Sequence, residues 1–76
     1  MEELVAYIVR SLVDNPDDVT VAALETSGGI TYEVTVAPGD MGKIIGRSGR
    51  VIQSIRNVVK AVAAKSGERA FVEIIG

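Results

Sequence analysis

Residues 30–36 alternate without a break: Ile30, Tyr32, Val34 and Val36 project one way, and Thr31, Glu33 and Thr35 the other. A period of two gives a strand one apolar and one polar face. The segment therefore predicts a half-buried strand in an antiparallel hairpin with one side wet. Nothing else in the chain constrains the fold as tightly, because a sheet with an apolar face needs a second layer to cover it. That layer is available on either side in sequence. Residues 2–13 place Leu4, Val5, Ile8, Val9, Leu12 and Val13 on one helical stripe, with Glu2 and Glu3 in the first turn where the helix dipole favours anions. Asn15-Pro16 is expected to end that helix, since the residue before proline is pushed out of helical geometry. Residues 50–65 put Val51, Ile52, Ile55, Val58, Val59, Val62 and Ala63 on a buried stripe, with Gln53, Arg56, Asn57, Lys60 and Ala64 opposite.

The remaining segments fill in the order. Residues 19–25 read as a strand, Ser27-Gly28-Gly29 as the hairpin turn, and Ala37-Pro38-Gly39 as its close. Asp40 is placed as N-cap of a short helix, 41–45, which Gly46 to Gly49 interrupt. Gly67 suits a C-terminal cap for the longer helix, and 70–75 form a final strand. The predicted fold is α+β: a two-layer sandwich in the order α-β-β-α-α-β, its three-stranded sheet covered by helices on one face. At 76 residues this is expected to be one domain, 1–76, and 47% apolar content is enough for a core.

Several function classes are hard to build from these residues. With no Cys there is no disulfide framework or thiolate site, and with no His the commonest general base and metal ligand are missing. No catalytic residue, metal site or cofactor is expected. Asp14, Asp17, Asp18 and Glu25 read as solvated loop carboxylates rather than as a site. Tyr7, Tyr32 and Phe71 are the only aromatics, too few for a base-stacking sheet platform. No apolar run approaches the ~20 residues of a bilayer span, and the start lacks the features of a signal peptide. No membrane partner is expected, and the expected location is cytoplasmic.

The formal net charge of −2 conceals a segregation. Residues 1–40 carry eight acids against Arg10 alone, whereas 41–67 carry Lys43, Arg47, Arg50, Arg56, Lys60 and Lys65 and no acid. Blocks of this kind act as local fields rather than as a net charge. The basic block contains Gly46-Arg47-Ser48-Gly49. Two glycines there let a backbone approach something external. Arg47 at the tip and Lys43 one turn back supply cations, and the helix opening at Arg50 offers N–H groups that attract anions. A phosphate backbone is the natural guest. Nucleotide loops fit poorly: the P-loop pattern would need Gly at 37 and Ser or Thr at 44, where this chain has Ala37 and Ile44. Ile44, Ile52 and Ile55 are read as core, and one of Ile44 and Ile45 as a groove residue.

The segment Ile44-Ile45-Gly46-Arg47-Ser48-Gly49-Arg50-Val51-Ile52-Gln53-Ser54-Ile55 resembles the KH-domain signature (I/V)-I-G-x-x-G-x-x-I-x-x-I at every fixed position. The element order is similar to the type II arrangement, and the whole chain is similar to the small stand-alone bacterial KH proteins of the KhpA type. The resemblance implies single-stranded RNA as partner, its backbone clamped by the Gly-x-x-Gly loop and its bases in an apolar groove. It implies an RNA chaperone or post-transcriptional regulator, not an enzyme. Carried over by position, the RNA-binding residues are Lys43, Ile45, Gly46, Arg47, Ser48, Gly49 and Arg50, with Gly42, Arg56 and Lys60 as secondary contacts. Tyr32, Val34 and Val36, or the opposite strand face, would supply the groove's sheet side. The alternative implied is an assembly module, a homodimer or the partner of a larger KH-containing protein, with RNA binding secondary.

Overall fold

The structure, a computed structural model, describes residues 1–75. Helix α1 spans Glu2–Leu12, strands β1 and β2 span Thr20–Thr26 and Gly29–Thr35, helix α2 spans Met41–Ile45, helix α3 spans Arg50–Lys65, and strand β3 spans Ala70–Ile75. Single 3-10 turns occupy Pro16–Asp18, Pro38–Asp40 and Arg47–Gly49. The order is the one predicted. The two hairpin strands are each displaced by one residue from their predicted bounds. Helix α1 stops before Asn15-Pro16 is reached, because Val13 is already extended at φ −101°, ψ 161°.

Strand β2 is central. It pairs antiparallel with β1, from Thr20↔Thr35 to Thr26↔Gly29, and parallel with β3, from Ile30↔Ala70 to Thr35↔Ile75. Parallel neighbours need a crossover, which α2 and α3 provide. That crossover lays the Gly46–Gly49 segment over one end of the helical layer.

All three helices pack on one sheet face. Val5 and Val9 of α1, Ile44 of α2 and Ile52, Ile55 and Val59 of α3 are buried against Tyr32, Val34 and Val72. The stripes expected from periodicity are wider than the buried ones, since Leu12, Val58 and Val62 remain exposed. The outer strands lie only about 10 Å apart, and two helices side by side already span that width. Their outer shoulders overhang. The end of α3 is capped as expected, with Gly67 N–H donating to Ala64 C=O and Glu68 N–H to Ala63 C=O, both at 3.0 Å.

Asp40 departs from its expected role. It stands before α2 but makes no side-chain capping bond. Its carboxylate, 2% exposed, turns inward and accepts hydrogen bonds from Asp14 N–H (3.3 Å), Asn15 N–H (3.1 Å) and Asn15 Nδ2 (3.1 Å). A buried carboxylate must find donors, and the free backbone N–H groups after α1 are closer to hand than those of α2. Asp40 thereby ties the end of α1 to the start of α2.

Candidate nucleic-acid interface

Helix α2 closes with Gly46 N–H donating to Gly42 C=O at 2.9 Å. The chain then reverses through a tight turn in which Gly49 N–H donates to Gly46 C=O (3.2 Å) and Arg50 N–H to Arg47 C=O. Three of its residues have positive φ: Gly46 at 74°, Ser48 at 56° and Gly49 at 73°. The glycines differ in what they require. A Cβ at Gly46 would run into the Val51 side chain, with Val51 Cβ at 2.8 Å; one at Gly49 would meet nothing nearer than Ile52 Cγ2 at 4.0 Å. Gly46 lets the loop lie down on α3, while Gly49 leaves an open surface. Ser48 is the one described non-glycine residue in left-handed geometry, which costs it about 1 kcal/mol.

The turn also decides which amides are free. The expectation of open N–H groups at the start of α3 needs correcting at Arg50, whose N–H is held by Arg47 C=O. Nor does Ser48 cap that helix: Gly49 takes the N-cap position, with no side-chain capping bond. Two further amides lie one step earlier, at the tip of the turn. Arg47 and Ser48, both exposed, donate from neither backbone N–H to any described acceptor. Two adjacent free amides at an exposed tip, in a turn with three positive-φ residues, offer donors suited to an anion.

Around the loop the candidate residues divide. Ile44 is fully buried, while Ile45 is 39% exposed beside the turn, so of the pair only Ile45 is open to a ligand. Gly42 lies on the exposed side of α2 with no atom near a would-be Cβ. Lys43 Nζ sits 3.3 Å from Asp14 Oδ2, an exposed ion pair that sequence reading missed. The acids of this region looked like a solvated loop, and only the Asp40 anchor shows why Asp14 is brought to α2. Burial pushes the Asp40 carboxyl up, but the hydrogen bonds from Asn15 and Asp14 and the nearby Lys43 outweigh it and hold it below its ordinary value.

Arg56 and Lys60 lie away from the loop, along α3. Arg56 is half-buried and its Nε donates to Val72 C=O at 3.2 Å, covering a carbonyl on the free edge of β3. Lys60 is exposed and lines a hollow around that edge with Phe71. Tyr32, Val34 and Val36, named as groove candidates, are core residues turned to the helices and reach no surface groove. Burial, and then the negative field of Glu68, Glu2 and Glu25, pushes the Tyr32 hydroxyl above its ordinary value.

This order of elements, with one antiparallel and one parallel strand pair and a Gly-x-x-Gly turn between two helices, defines a type II KH-like fold. The model of the family described as "KhpA/KhpB, KH domain" matches residues 2–74, and the chain belongs to that family. Relatives named RNA-binding protein KhpA include that of Caldanaerobacter subterraneus subsp. tengcongensis, 52% identical over 99% of this chain and 100% of its own length. Those of Clostridium acetobutylicum, with 48% identity and coverages of 99% and 100%, and Listeria monocytogenes, with 44% and coverages of 99% and 99%, are also similar. Among solved structures, Aquifex aeolicus Era bound to GDP.AlF4- superposes with a TM-score of 0.70 at 20% identity. It covers 96% of this chain but only 28% of that one, a likeness of fold alone.

Proposed function

We propose that this chain, as a single KH unit, binds single-stranded RNA through the Gly46–Gly49 turn, acting in the cytoplasm as an RNA chaperone or post-transcriptional regulator rather than as an enzyme. The observation that carries the reading is the pair of free amides at Arg47 and Ser48. They sit at an exposed tip, at the head of a tract with six cations and no acid. The names of relatives spanning the same length support RNA as the ligand. In this reading a phosphate rests on the two amides and the open face of Gly49, Arg47 and Arg50 neutralise the strand, Lys43 exchanges Asp14 for a phosphate, and Ile45 touches a base. Gly42 and Lys60 extend the contact, and Arg56 contributes its charge from the edge of β3.

Two or three phosphate contacts give a modest, roughly micromolar affinity. They also give a salt slope of about −1.4 to −2.1, so a fourfold rise in salt weakens binding about tenfold. The test is titration of short unstructured RNAs against the wild type and Arg47→Asp/Ser48→Asp. The double variant should lose at least about tenfold, from lost cation, added repulsion and blocked amides. Equal binding by the two proteins, or none by either, overturns the clamp.

A second reading, an assembly module pairing with its own copy or with a larger KH-containing protein, is favoured by one observation. Val58 and Val62 form an exposed apolar shoulder on α3. Light scattering across a concentration series tests the homodimer, and a strict monomer at high concentration counts against it.

A further inference from the structure

The sheet face turned away from the helices is uncovered, and its composition is unusual for a wet face. Pairing fixes which residues share it. Leu24, Thr31 and Phe71 form one row across the strands, Ala22, Glu33 and Glu73 the next, and Thr20, Thr35 and Ile75 the third. Leu24 is 48% exposed, Phe71 43% and Ile75 41%. A strand with one wet face alternates, whereas one covered on both faces reads as a near-continuous apolar run, the usual case for parallel strands. Strand β3 is Ala-Phe-Val-Glu-Ile-Ile, and it is the parallel member. Its sequence is that of a strand with a layer on each side, yet only one layer is present.

Charge says what the second layer is. Glu33 and Glu73 lie side by side in register in the middle of the face, and neither forms an ion pair among the described residues. Adjacent like charges repel unless a cation comes between them. The cations nearest the face stay at its rim: Arg56 and Lys60 share a hollow with Thr31, Phe71 and Glu73 at the outer edge of β3, Arg69 joins Lys60 and Phe71 at one end, and Arg56 is held by Val72 C=O. The middle of the face, with two carboxylates and no ion pair, therefore repels RNA. A second copy is also a poor fit, since stacking two such faces sets four carboxylates together. Its area, on the order of 300 Å² from strand spacing and length, is well below the ~800 Å² per partner of a stable protein pair. One helix about 10–12 Å wide and four turns long matches that footprint.

We infer that this open face docks a basic amphipathic helix of another protein. Apolar side chains of that helix cover Leu24, Phe71 and Ile75, and a Lys or Arg between them enters the gap at Glu33 and Glu73. The interaction is weak and separate from the RNA loop.

The experiment selects from a displayed library of helices about 18 residues long, carrying one apolar stripe and polar positions drawn from Lys, Glu, Gln and Ser. The winning sequence is then synthesised and titrated by NMR. Selected helices should be net basic, with Lys flanked by apolar residues, and should shift the amides of Leu24, Thr31, Glu33, Phe71 and Glu73. Phe71→Ser, Leu24→Ser and the pair Glu33→Gln/Glu73→Gln should each weaken binding about tenfold. These surface variants should keep the wild-type circular dichroism, and Leu24→Ser stands in if Phe71→Ser does not. Arg47→Asp/Ser48→Asp should leave the affinity unchanged. The proposal is overturned by enrichment of neutral or acidic helices, by none beyond that seen on the Leu24→Ser protein, or by shifts confined to α1 or α3. A dimer of the free protein that Leu24→Ser dissolves overturns it equally.

Discussion

Gly46 and Gly49 look alike in sequence and answer to different constraints. Both have positive φ, but only at Gly46 is the space of a Cβ already taken, by Val51. Gly46→Ala should destabilise by about 2–4 kcal/mol, because strain and a steric clash add. Gly49→Ala should lose only about 1 kcal/mol, the left-handed penalty alone. Urea denaturation of the two variants checks the order, and equal losses would contradict it. Asp40 gives a prediction in pH. Its folded value lies below its ordinary 3.8, so the stability it contributes is complete above that value and is lost as pH falls through the lower, folded one. Melting temperature should therefore drop below about pH 4 more steeply in the wild type than in Asp40→Asn. The variant itself should melt lower at neutral pH, because an NH2 donor replaces one of the two oxygens that accept from Asn15 and Asp14 and the charge is lost.

At the scale of elements, Arg56 shows how a charge can serve the sheet. Its bond to Val72 C=O covers the outer strand where no further strand pairs. Arg56→Ala should cost about 1 kcal/mol, read from the urea midpoint, and should weaken RNA binding less than Arg47→Asp/Ser48→Asp does. Arg56 illustrates what sequence could and could not show. Periodicity located every helix and strand to within a few residues, because burial of one face imposes a period whatever the partner. The Gly-x-x-Gly turn was legible for the same local reason. Partners far apart in sequence were not: Arg56 with Val72, Asp40 with Asn15, and Lys43 with Asp14 are set by how elements dock. The same limit explains the groove. Alternation separated the faces of β2, but only the packed helices show that Tyr32, Val34 and Val36 are the covered side. Overhanging Val58 and Val62 escaped notice because a stripe in sequence carries no information about the width of the sheet beneath it.

For the whole molecule, the divided charge makes binding depend on orientation: six cations lie in residues 41–67, and eight of the ten acids precede them. Among the described residues, the ion pair between the halves is Lys43–Asp14. Asp14→Asn should release Lys43 and remove a repulsive charge, tightening RNA binding about two- to threefold at low ionic strength. The gain should vanish at high salt, where exposed charges are screened, and a titration at two salt concentrations checks both statements. The parallel pairing of β3 has a consequence in time. Ile30 and Ala70 meet across an interval of forty residues, and such distant pairings are slow because loop closure precedes any reward. During synthesis the hairpin and α3 can form while the chain is still emerging from the ribosome. The layer that holds the turn in place is completed only once β3 is clear of the exit tunnel, so RNA affinity should arrive late and all at once.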